Sequence, residues 1–377
     1  MIHSLFSKLR LRLHQAPRLS HIYLRNLLDS DVTRKRDAPC LLFDFTRNTI
    51  LKRYLFAAAY CLSQAGYQIY WQFRPRFLLR THEEFDTTFY RLPFLRFVLC
   101  GNAFRKRIPL AGIVTDAPKT GEEFRPVTYF NAEENPPTDA ENYYQFPLSL
   151  GLSYLFEHKR WVPANEAILP ARDLTYRILF VGNCSPHSHG TNPTLAEQGI
   201  LRRPEIVDLL LRDFPDDVTC LRTWADLEAF RNEGTMSPIL ILDASQAAVF
   251  AEEYWNLMLR SAFFVAMPGT ASVHTHSLAE SLACACCPIL QEPGLIHREL
   301  RPSENCLAFG SPPGFSKTIR EALEMRNEDI DKLRTAASKL YHSQFSPESI
   351  GKGLANAIAA GRPIWSSIFH AETRQVK

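Results

Sequence analysis

The sequence predicts an α/β protein built from two doubly wound domains, each a parallel sheet flanked by helices. Short apolar runs typical of buried strands alternate with segments of helical periodicity in both halves of the chain. The chain has 377 residues, which is enough for two hydrophobic cores of ordinary size. Residues 131–175, rich in Pro, Asn, Glu and Tyr, interrupt the alternation, and we place the interdomain linker at 151–175.

The first domain is expected over residues 39–150. Apolar runs predict its strands, and a periodic segment that ends in glycine predicts its helix. The predicted order is strand, helix and three further strands, at 40–45, 49–66, 67–72, 108–116 and 127–130.

The second domain is expected over residues 176–345. Strands and helices alternate regularly in its first half, at 176–183, 204–213, 218–221, 224–232, 239–243 and 250–259. The remaining residues, 346–377, form a separate C-terminal piece that is predicted to be mainly helical over 347–369.

The segment 261–290 is the most informative part of the chain. It predicts a buried strand, a Pro268-Gly269 turn, a polar loop, a helix that begins near His276 and a second buried strand from Pro288. In an open α/β sheet, such a turn lies beyond the carboxyl end of a strand, and the next helix directs unpaired backbone N–H groups towards a ligand there. The segment therefore predicts an anion-binding site.

This arrangement, with Glu280 followed by small residues and Pro288-Ile289, resembles the donor-site segment of GT-B glycosyltransferases, especially the exostosin-like and related bacterial families. The resemblance implies two Rossmann-like domains facing a cleft, and transfer of a sugar from a nucleotide-sugar to a hydroxyl acceptor without a metal or other cofactor. It also implies that the C-terminal helix crosses back to the first domain. The chain departs from the pattern at Ala285, where glycine is usual. Because a left-handed backbone costs alanine roughly 1 kcal/mol, we expect the helix to end differently there.

Candidate ligand-binding residues surround this helix start. The resemblance implies that Glu280 binds the donor's ribose, and a carboxylate suits a diol because it accepts two hydroxyl hydrogen bonds. His276, one turn earlier on the same face, is a candidate catalytic residue that donates to a phosphate. The other candidates in this loop, for which ordinary capping or solvation is the alternative, are Gly269, Thr270, Ser272 and His274.

Further candidates follow the strand predicted at 176–183. Gly182 and Asn183 allow close approach of the backbone to a ligand, or form an ordinary turn. Arg202 and Arg203 open the next helix, and their guanidinium groups suit phosphate oxygens. The alternative is that both are ordinary surface arginines.

A general base has no motif of its own. Inverting transfer needs a base that takes the acceptor's proton, and Asp116 follows an apolar run where a strand is expected to end. Asp44, Glu133 and Glu134 are further candidates, the last two in a predicted loop. Each of the four is alternatively an ordinary turn or surface carboxylate.

Two other functions stay open. The pairs His187/His189 and His274/His276 suggest the zinc site of a metallohydrolase, but no acidic ligands complete the spacing, so we assign no metal ligands. The alanine at position 285 and the missing base also fit a non-catalytic GT-B-like protein that binds a glycan or an assembly partner.

Bulk properties limit the partners and the compartment. A net charge of +3 is too small to indicate nucleic acid. Most of the nine cysteines lie in apolar runs, which favours a reducing compartment over a disulfide framework. No apolar run approaches the length of about 20 residues that spans a bilayer, so we expect a cytoplasmic protein.

Two basic segments suggest further partners. Within residues 1–40 basic side chains exceed acidic ones by five and alternate with leucines, and we set 1–38 apart as an amphipathic segment. It is expected to lie on an anionic membrane surface at the inner face, or to be a solvated terminus. The aromatic and basic run 70–107, which includes Trp71, suits a glycan or glycolipid acceptor from cell-surface polysaccharide or lipid-linked glycan synthesis, or else a packed domain edge.

Overall fold

The structure is a computed structural model that divides into two compact units. Unit 1 combines the described residues up to 146 with those from 347 onward, and unit 2 comprises those between 147 and 346. The structure describes residues 38–45, 52–72, 95–98, 110–115, 127–133, 142–147, 168–185, 193–233, 237–245, 251–269 and 275–367.

Unit 1 contains a parallel sheet whose strands follow the order β3-β2-β1-β4-β5-β13-β6. Its central strands are apolar runs with both faces buried, which is the pattern expected of a parallel sheet covered by helices. The strands are β1 Cys40–Asp44, β2 Gln68–Gln72, β3 Leu95–Val98, β4 Leu110–Thr115, β5 Val127–Glu133, β6 Tyr144–Gln145 and β13 Ile364–Ser367.

The end of the chain belongs to unit 1. A helix over Pro347–Ala359 packs against α1, Lys52–Gln64, and β13 lies between β5 and β6. The prediction of a helix over 347–369 is therefore wrong beyond residue 359. Gly361, at φ +65°, ends the helix with Arg362 N donating to Ala357 O, as glycine commonly does before a proline.

Unit 2 contains a second parallel sheet, with the strand order β12-β11-β10-β7-β9-β8. Its strands are β7 Tyr176–Gly182, β8 Val218–Leu221, β9 Ile239–Asp243, β10 Ser261–Val265, β11 Cys287–Gln291 and β12 Leu307–Phe309. Its α-helices are α2 Pro193–Glu197, α3 Arg203–Asp213, α4 Trp224–Asn232, α5 Ala251–Leu259, α6 His276–Ala283, α7 Pro293–Ile296, α8 Pro312–Glu324 and α9 Asn327–Leu340. The helix of unit 1 over Pro347–Ala359 is α10.

Helices cover both faces of this second sheet. Phe263 belongs to a hydrophobic cluster that includes Ile206 of α3 and Phe315 of α8. The next residue, Phe264, points to the other face, where its ring meets that of Tyr254 from α5 at 6.4 Å. The predicted fold class, α/β with doubly wound parallel sheets, is thus confirmed.

The order of strands in unit 2 creates a switch point. After β7 the chain builds β8 and β9 on one side, then crosses to build β10, β11 and β12 on the other. The carboxyl ends of β7 and β10 are therefore neighbours whose following segments diverge, and open α/β sheets bind ligands at such points. Gly182 ends β7 there, and Pro268-Gly269 follows β10.

Two general features accompany this architecture. Among the described residues, no helix combines the length and apolarity needed to span a bilayer. The eight described cysteines are all free thiols, and seven of them are buried. The predicted amphipathic segment 1–38, apart from its last residue, and most of the predicted linker lie outside the described residues.

We predict that Gly351→Ala destabilises unit 1. A Cβ added at Gly351 would lie 2.1 Å from the carbonyl oxygen of Cys61 on α1, so the two helix backbones would have to separate. Overpacking of this kind costs about 1–3 kcal/mol or more. Thermal unfolding measures it, with Gly294→Ala as the matched control, because a Cβ at Gly294 meets nothing within 4 Å. Equal unfolding midpoints for the two variants would contradict this packing.

Candidate functional site

The carboxyl ends of β7 and β10 meet at the guanidinium group of Arg203. Arg203 is the first residue of α3, and its Nε donates to the carbonyl oxygen of Pro268 at 3.0 Å. The same guanidinium lies so close to Gly182 that a Cβ there would stand 2.9 Å from Nη1. A side chain at position 182 would therefore displace the guanidinium of Arg203, although the backbone conformation there is open to other residues. Three of the predicted elements come together here: Gly182, Arg203 and the turn before Gly269.

The charge of Arg203 lacks a counter-charge in the described part of the chain. The side chain is half-buried, and burial lowers the pKa of its guanidinium, while electrostatic contacts with Cys184 and Tyr254 raise it. Arg203 forms no ion pair with another described residue, and Pro268 O accepts its one hydrogen bond. A partly desolvated guanidinium whose other four N–H donors have no partner among the described residues is costly unless an anion binds to it. The position therefore suits a phosphate or another oxyanion.

Arg202 is arranged differently from its neighbour. Its Nη2 donates to the carboxylate of Glu205 in the first turn of α3, and its backbone N–H donates to the same carboxylate at 2.7 Å. These contacts raise the pKa of Arg202 and lower that of Glu205. The guanidinium of Arg202 is thus engaged at the start of the helix.

The turn after β7 is held by an aspartate that the sequence analysis missed. Asp243 ends β9, and its Oδ1 accepts hydrogen bonds from the backbone N–H groups of Cys184 at 3.1 Å and Ser245 at 2.9 Å. Asn183 Oδ1 accepts a further bond from Ser185 N at 2.8 Å. Asp243 therefore fixes the turn after the neighbouring strand. In the sequence, only its position directly after four apolar strand residues could have marked it as a site residue.

The helix α6 begins at His276, as predicted. Thr275 is the N-cap, yet its hydroxyl pairs with that of Ser277 at 2.8 Å and makes no capping bond to the helix backbone. His276 is exposed in the first turn. No side chain of the described residues thus caps this end of the helix, and the backbone N–H groups of a helix N-terminus favour anions. The predicted site residues Thr270, Ser272 and His274 lie outside the described residues.

Glu280 is buried on α6 and is held by a tyrosine. Its side chain is 4% exposed, and the Tyr254 hydroxyl donates to its Oε2 at 2.9 Å. Burial, followed by the negative charge of Glu280, raises the pKa of Tyr254 well above its ordinary value, while Arg203 lowers it. Arg203, Tyr254 and Glu280 are thus electrostatically linked from the switch point to α6. Nothing in the sequence marks Tyr254, which lies in the apolar pattern of α5.

The end of α6 departs from expectation. Ala285 adopts the left-handed conformation at φ +50°, so the prediction that the helix ends differently without glycine is wrong. Cys286 N donates to Ser281 O at 2.8 Å and Ala285 N to Leu282 O at 3.1 Å, the pattern of a glycine-type helix end. The fully buried Arg334 donates from Nε to Ala285 O at 2.8 Å, which offsets part of the backbone cost.

Several other candidates fall elsewhere. The predicted base Asp116 and the candidate Glu134 lie outside the described residues, and Asp44 is buried at the end of β1. Glu133 is the last residue of strand β5, whereas the sequence had suggested a loop there. Trp71 is 3% exposed and packs against Phe43 and Phe45, so it belongs to the core and not to an acceptor surface.

The described residues offer no metal site. They contain no cluster of three or more His, Cys, Asp or Glu side chains with metal-binding geometry. The pair His187/His189 and the residue His274 lie outside the described part of the chain, so the zinc hypothesis stays a prediction there.

Among the comparisons with known proteins, only the search of solved structures found similar proteins. No protein-family model matches the chain, and the search of curated proteins found no relative. The solved structures include HepE from Anabaena in complex with UDP and glucose, 10% identical with a TM-score of 0.45 over 86% of this chain and 100% of HepE. They also include MurG from Acinetobacter baumannii, 12% identical with a TM-score of 0.41 over 85% of this chain and 99% of MurG.

A third similar structure is AviGT4, a glycosyltransferase involved in avilamycin A biosynthesis. It is 11% identical, with a TM-score of 0.41 over 86% of this chain and 99% of AviGT4. At this level of similarity, function has to be inferred from the residues of this chain.

We predict that Ala285→Gly stabilises unit 2 by about 1 kcal/mol, because glycine adopts a left-handed backbone without the steric cost that alanine pays. Ala279→Gly is the matched control. Ala279 is equally buried but lies within α6, where glycine destabilises a helix by about 1 kcal/mol. Thermal unfolding should move the two midpoints in opposite directions, and a lower midpoint for Ala285→Gly would contradict the left-handed geometry.

We predict that Tyr254 and Glu280 are energetically coupled. Tyr254→Phe removes the donor to a buried carboxylate, which costs about 1–3 kcal/mol. A double-mutant cycle with Glu280→Gln, followed by urea unfolding, should give a coupling free energy above about 0.5 kcal/mol.

The control for this cycle is Tyr176→Phe paired with Glu280→Gln. Tyr176 is buried and Tyr254 is half-buried, but the hydroxyl of Tyr176 bonds to no other described residue, so we expect additive effects. Additivity in the Tyr254 cycle as well would mean that the hydrogen bond contributes nothing.

Proposed function

We propose that the protein is a GT-B glycosyltransferase that moves a sugar from a nucleotide-sugar donor to a hydroxyl acceptor. The observation that carries the proposal is the half-buried guanidinium of Arg203, which has no ion-pair partner among the described residues and lies at the switch point beside Pro268-Gly269. Unit 2 is then the donor-binding domain, and unit 1 holds the acceptor.

Arg203 has the chemistry that the leaving group requires. When the bond to the sugar breaks, negative charge grows on the departing diphosphate and has to be stabilised. A guanidinium binds two phosphate oxygens at once, and the N-terminus of α6 adds backbone N–H groups with a favourable dipole. Because these groups supply positive charge, we propose that transfer needs no metal ion or other cofactor.

Glu280 has the chemistry for recognising the nucleotide. A ribose presents two neighbouring hydroxyl groups, and an ionised carboxylate accepts hydrogen bonds from both. The Tyr254 hydroxyl, 2.9 Å from Oε2, restricts the rotation of this carboxylate. We propose that Glu280 binds the ribose, and that His276, exposed in the first turn of α6, donates to the diphosphate.

The acceptor side is proposed from sequence alone. Asp116 is the proposed base that takes the proton of the acceptor hydroxyl, in an enzyme of the exostosin-like or a related bacterial family. We propose a cell-surface polysaccharide or lipid-linked glycan as acceptor. The basic residues of segment 1–38 would hold the protein at the inner membrane surface through anionic lipids.

Donor hydrolysis tests the proposal without knowledge of the acceptor. The purified protein, incubated with a panel of nucleotide-sugars, should slowly release nucleoside diphosphate from at least one of them, with and without EDTA. Glu280→Gln should raise the donor KM about tenfold, the effect of losing one charged hydrogen bond. The control Glu328→Gln, on the exposed surface of α9, should leave KM unchanged.

Three results would contradict parts of this account. Activity that disappears with EDTA would contradict the metal-free mechanism, and an unchanged KM in Glu280→Gln would remove that residue from the donor site. Saturable nucleotide-sugar binding without turnover, across donors and acceptors, would instead support the non-catalytic binding protein.

A further inference from the structure

A buried glutamine at the end of β11 holds the segment that leads into α3. Gln291 is the last residue of β11 and is 7% exposed. Its Oε1 accepts a hydrogen bond from Leu201 N at 2.7 Å, and its Nε2 donates to Gly199 O at 2.9 Å. Both ends of one side-chain amide are therefore bound to the backbone just before Arg203.

A side-chain amide suits this position in a way that other side chains do not. Leu201 N is a donor and Gly199 O is an acceptor, so the group between them has to offer one acceptor and one donor. An ionised glutamate offers acceptors only, and methionine offers at most a weak acceptor. Either replacement at position 291 would leave at least one of the two backbone groups without this partner.

Local contacts fix the ends of the same segment. Gly199, at φ +67°, ends α2, and Ile200 N donates to Leu195 O at 2.9 Å. At the other end, Arg202 N donates to the carboxylate of Glu205 at 2.7 Å. Gln291, which is 90 residues from Leu201 in the sequence, joins this short segment to the sheet.

The glutamine and the acceptor of the Arg203 guanidinium are attached to the same pair of strands. β10 and β11 pair in parallel, and Ala266 N donates to Ile289 O at 3.0 Å. Two residues after Ala266, Pro268 O accepts from Arg203 Nε at 3.0 Å. Two residues after Ile289, Gln291 holds the backbone that precedes Arg203. Main chain and side chain of Arg203 are thus referenced to one rigid edge of the sheet.

We propose that Gln291 is a positioning residue, which holds the start of α3 so that the guanidinium of Arg203 meets the diphosphate of the donor. The inference rests on the proposed function, because Gln291 acts only through Arg203. A bidentate contact with phosphate needs both direction and distance, and a displacement of about 1 Å is enough to weaken it severalfold. Gln291 does this without contacting the ligand.

The chain contains a matched control for this glutamine. Asn305 is 9% exposed and forms the same kind of clamp, because its Oδ1 accepts from Arg301 N at 2.9 Å and its Nδ2 donates to Glu299 O at 2.9 Å. It lies just before β12, at the amino end of the strand and therefore at the opposite edge of the parallel sheet from the switch point. Loss of either amide removes two hydrogen bonds to the backbone, but only one of them lies next to Arg203.

Calorimetric titration of the full chain tests the inference, with UDP, GDP, ADP and CDP and the corresponding nucleosides as probes. Gln291→Met should weaken binding of the diphosphate about threefold or more and leave the affinity for the nucleoside unchanged. Asn305→Leu should leave both affinities unchanged. Both replacements are neutral and similar in size to the amide, so neither adds a charge that would itself repel the diphosphate.

A double-mutant cycle tests whether the effect passes through Arg203. Arg203→Gln alone should weaken binding of the diphosphate about tenfold or more. Adding Gln291→Met to Arg203→Gln should cause no further loss, whereas a general structural effect would be additive. Gln291→Asn, which keeps the amide but shortens its reach by one methylene group, should give a smaller loss and reports on the position even if Gln291→Met does not fold.

The inference is overturned if folded Gln291→Met or Gln291→Asn protein binds the diphosphate like Asn305→Leu, or if the loss persists undiminished in the Arg203→Gln background. An equal loss for the nucleoside would overturn it as well. If the wild type binds none of the diphosphates, or Arg203→Gln binds them like the wild type, the proposed donor site is itself contradicted and the inference falls with it. The wild-type and Arg203→Gln measurements therefore distinguish the two failures.

Discussion

A guanidinium group that has no carboxylate partner in the described part of the chain organises the candidate site of unit 2. Arg203 reaches the carboxyl ends of β7 and β10 because α3 begins there, because Gly182 leaves room for Nη1, and because Pro268 O accepts from Nε. Burial makes the group costly, and no described carboxylate offsets the cost. The arrangement is understandable if an anion completes it, and the positive end of α6 favours an anion as well.

Most strands and helices follow from local sequence patterns, whereas the short strands β3, β6 and β12 were not predicted. Runs such as Ile239–Asp243 bury nearly every residue, so an apolar run between turn residues was sufficient to predict them. The prediction of a helix over 347–369 was partly wrong because helical periodicity hid a stop signal, Gly361 followed by Pro363. The strand β13 that follows pairs with β5, more than two hundred residues away in the sequence. Such long-range pairing has no local signature. The prediction for the helix end at Ala285 was wrong for a related reason, since the hydrogen bond that supports this backbone comes from Arg334, 49 residues along the chain.

The candidate site was predictable where strand ends and helix starts mark it. Gly182, Arg203, Pro268-Gly269 and the start of α6 all come from such junctions, and a parallel sheet brings the junctions to one edge. The helical spacing of His276 and Glu280 was correct, but spacing does not decide burial, and only Glu280 is buried. Tyr254 and Asp243 were not predicted, because a tyrosine inside an apolar helix and an aspartate after a strand have many ordinary roles.

The central claim, that Arg203 binds the diphosphate of a nucleotide, is tested most directly by calorimetric titration of nucleoside diphosphates and of the corresponding nucleosides. Wild-type protein should bind a diphosphate more tightly than its nucleoside. Arg203→Gln should lose about tenfold or more of the affinity for the diphosphate and none of that for the nucleoside, because only the diphosphate contacts the guanidinium. A folded Arg203→Gln protein that binds both as the wild type does would contradict the account.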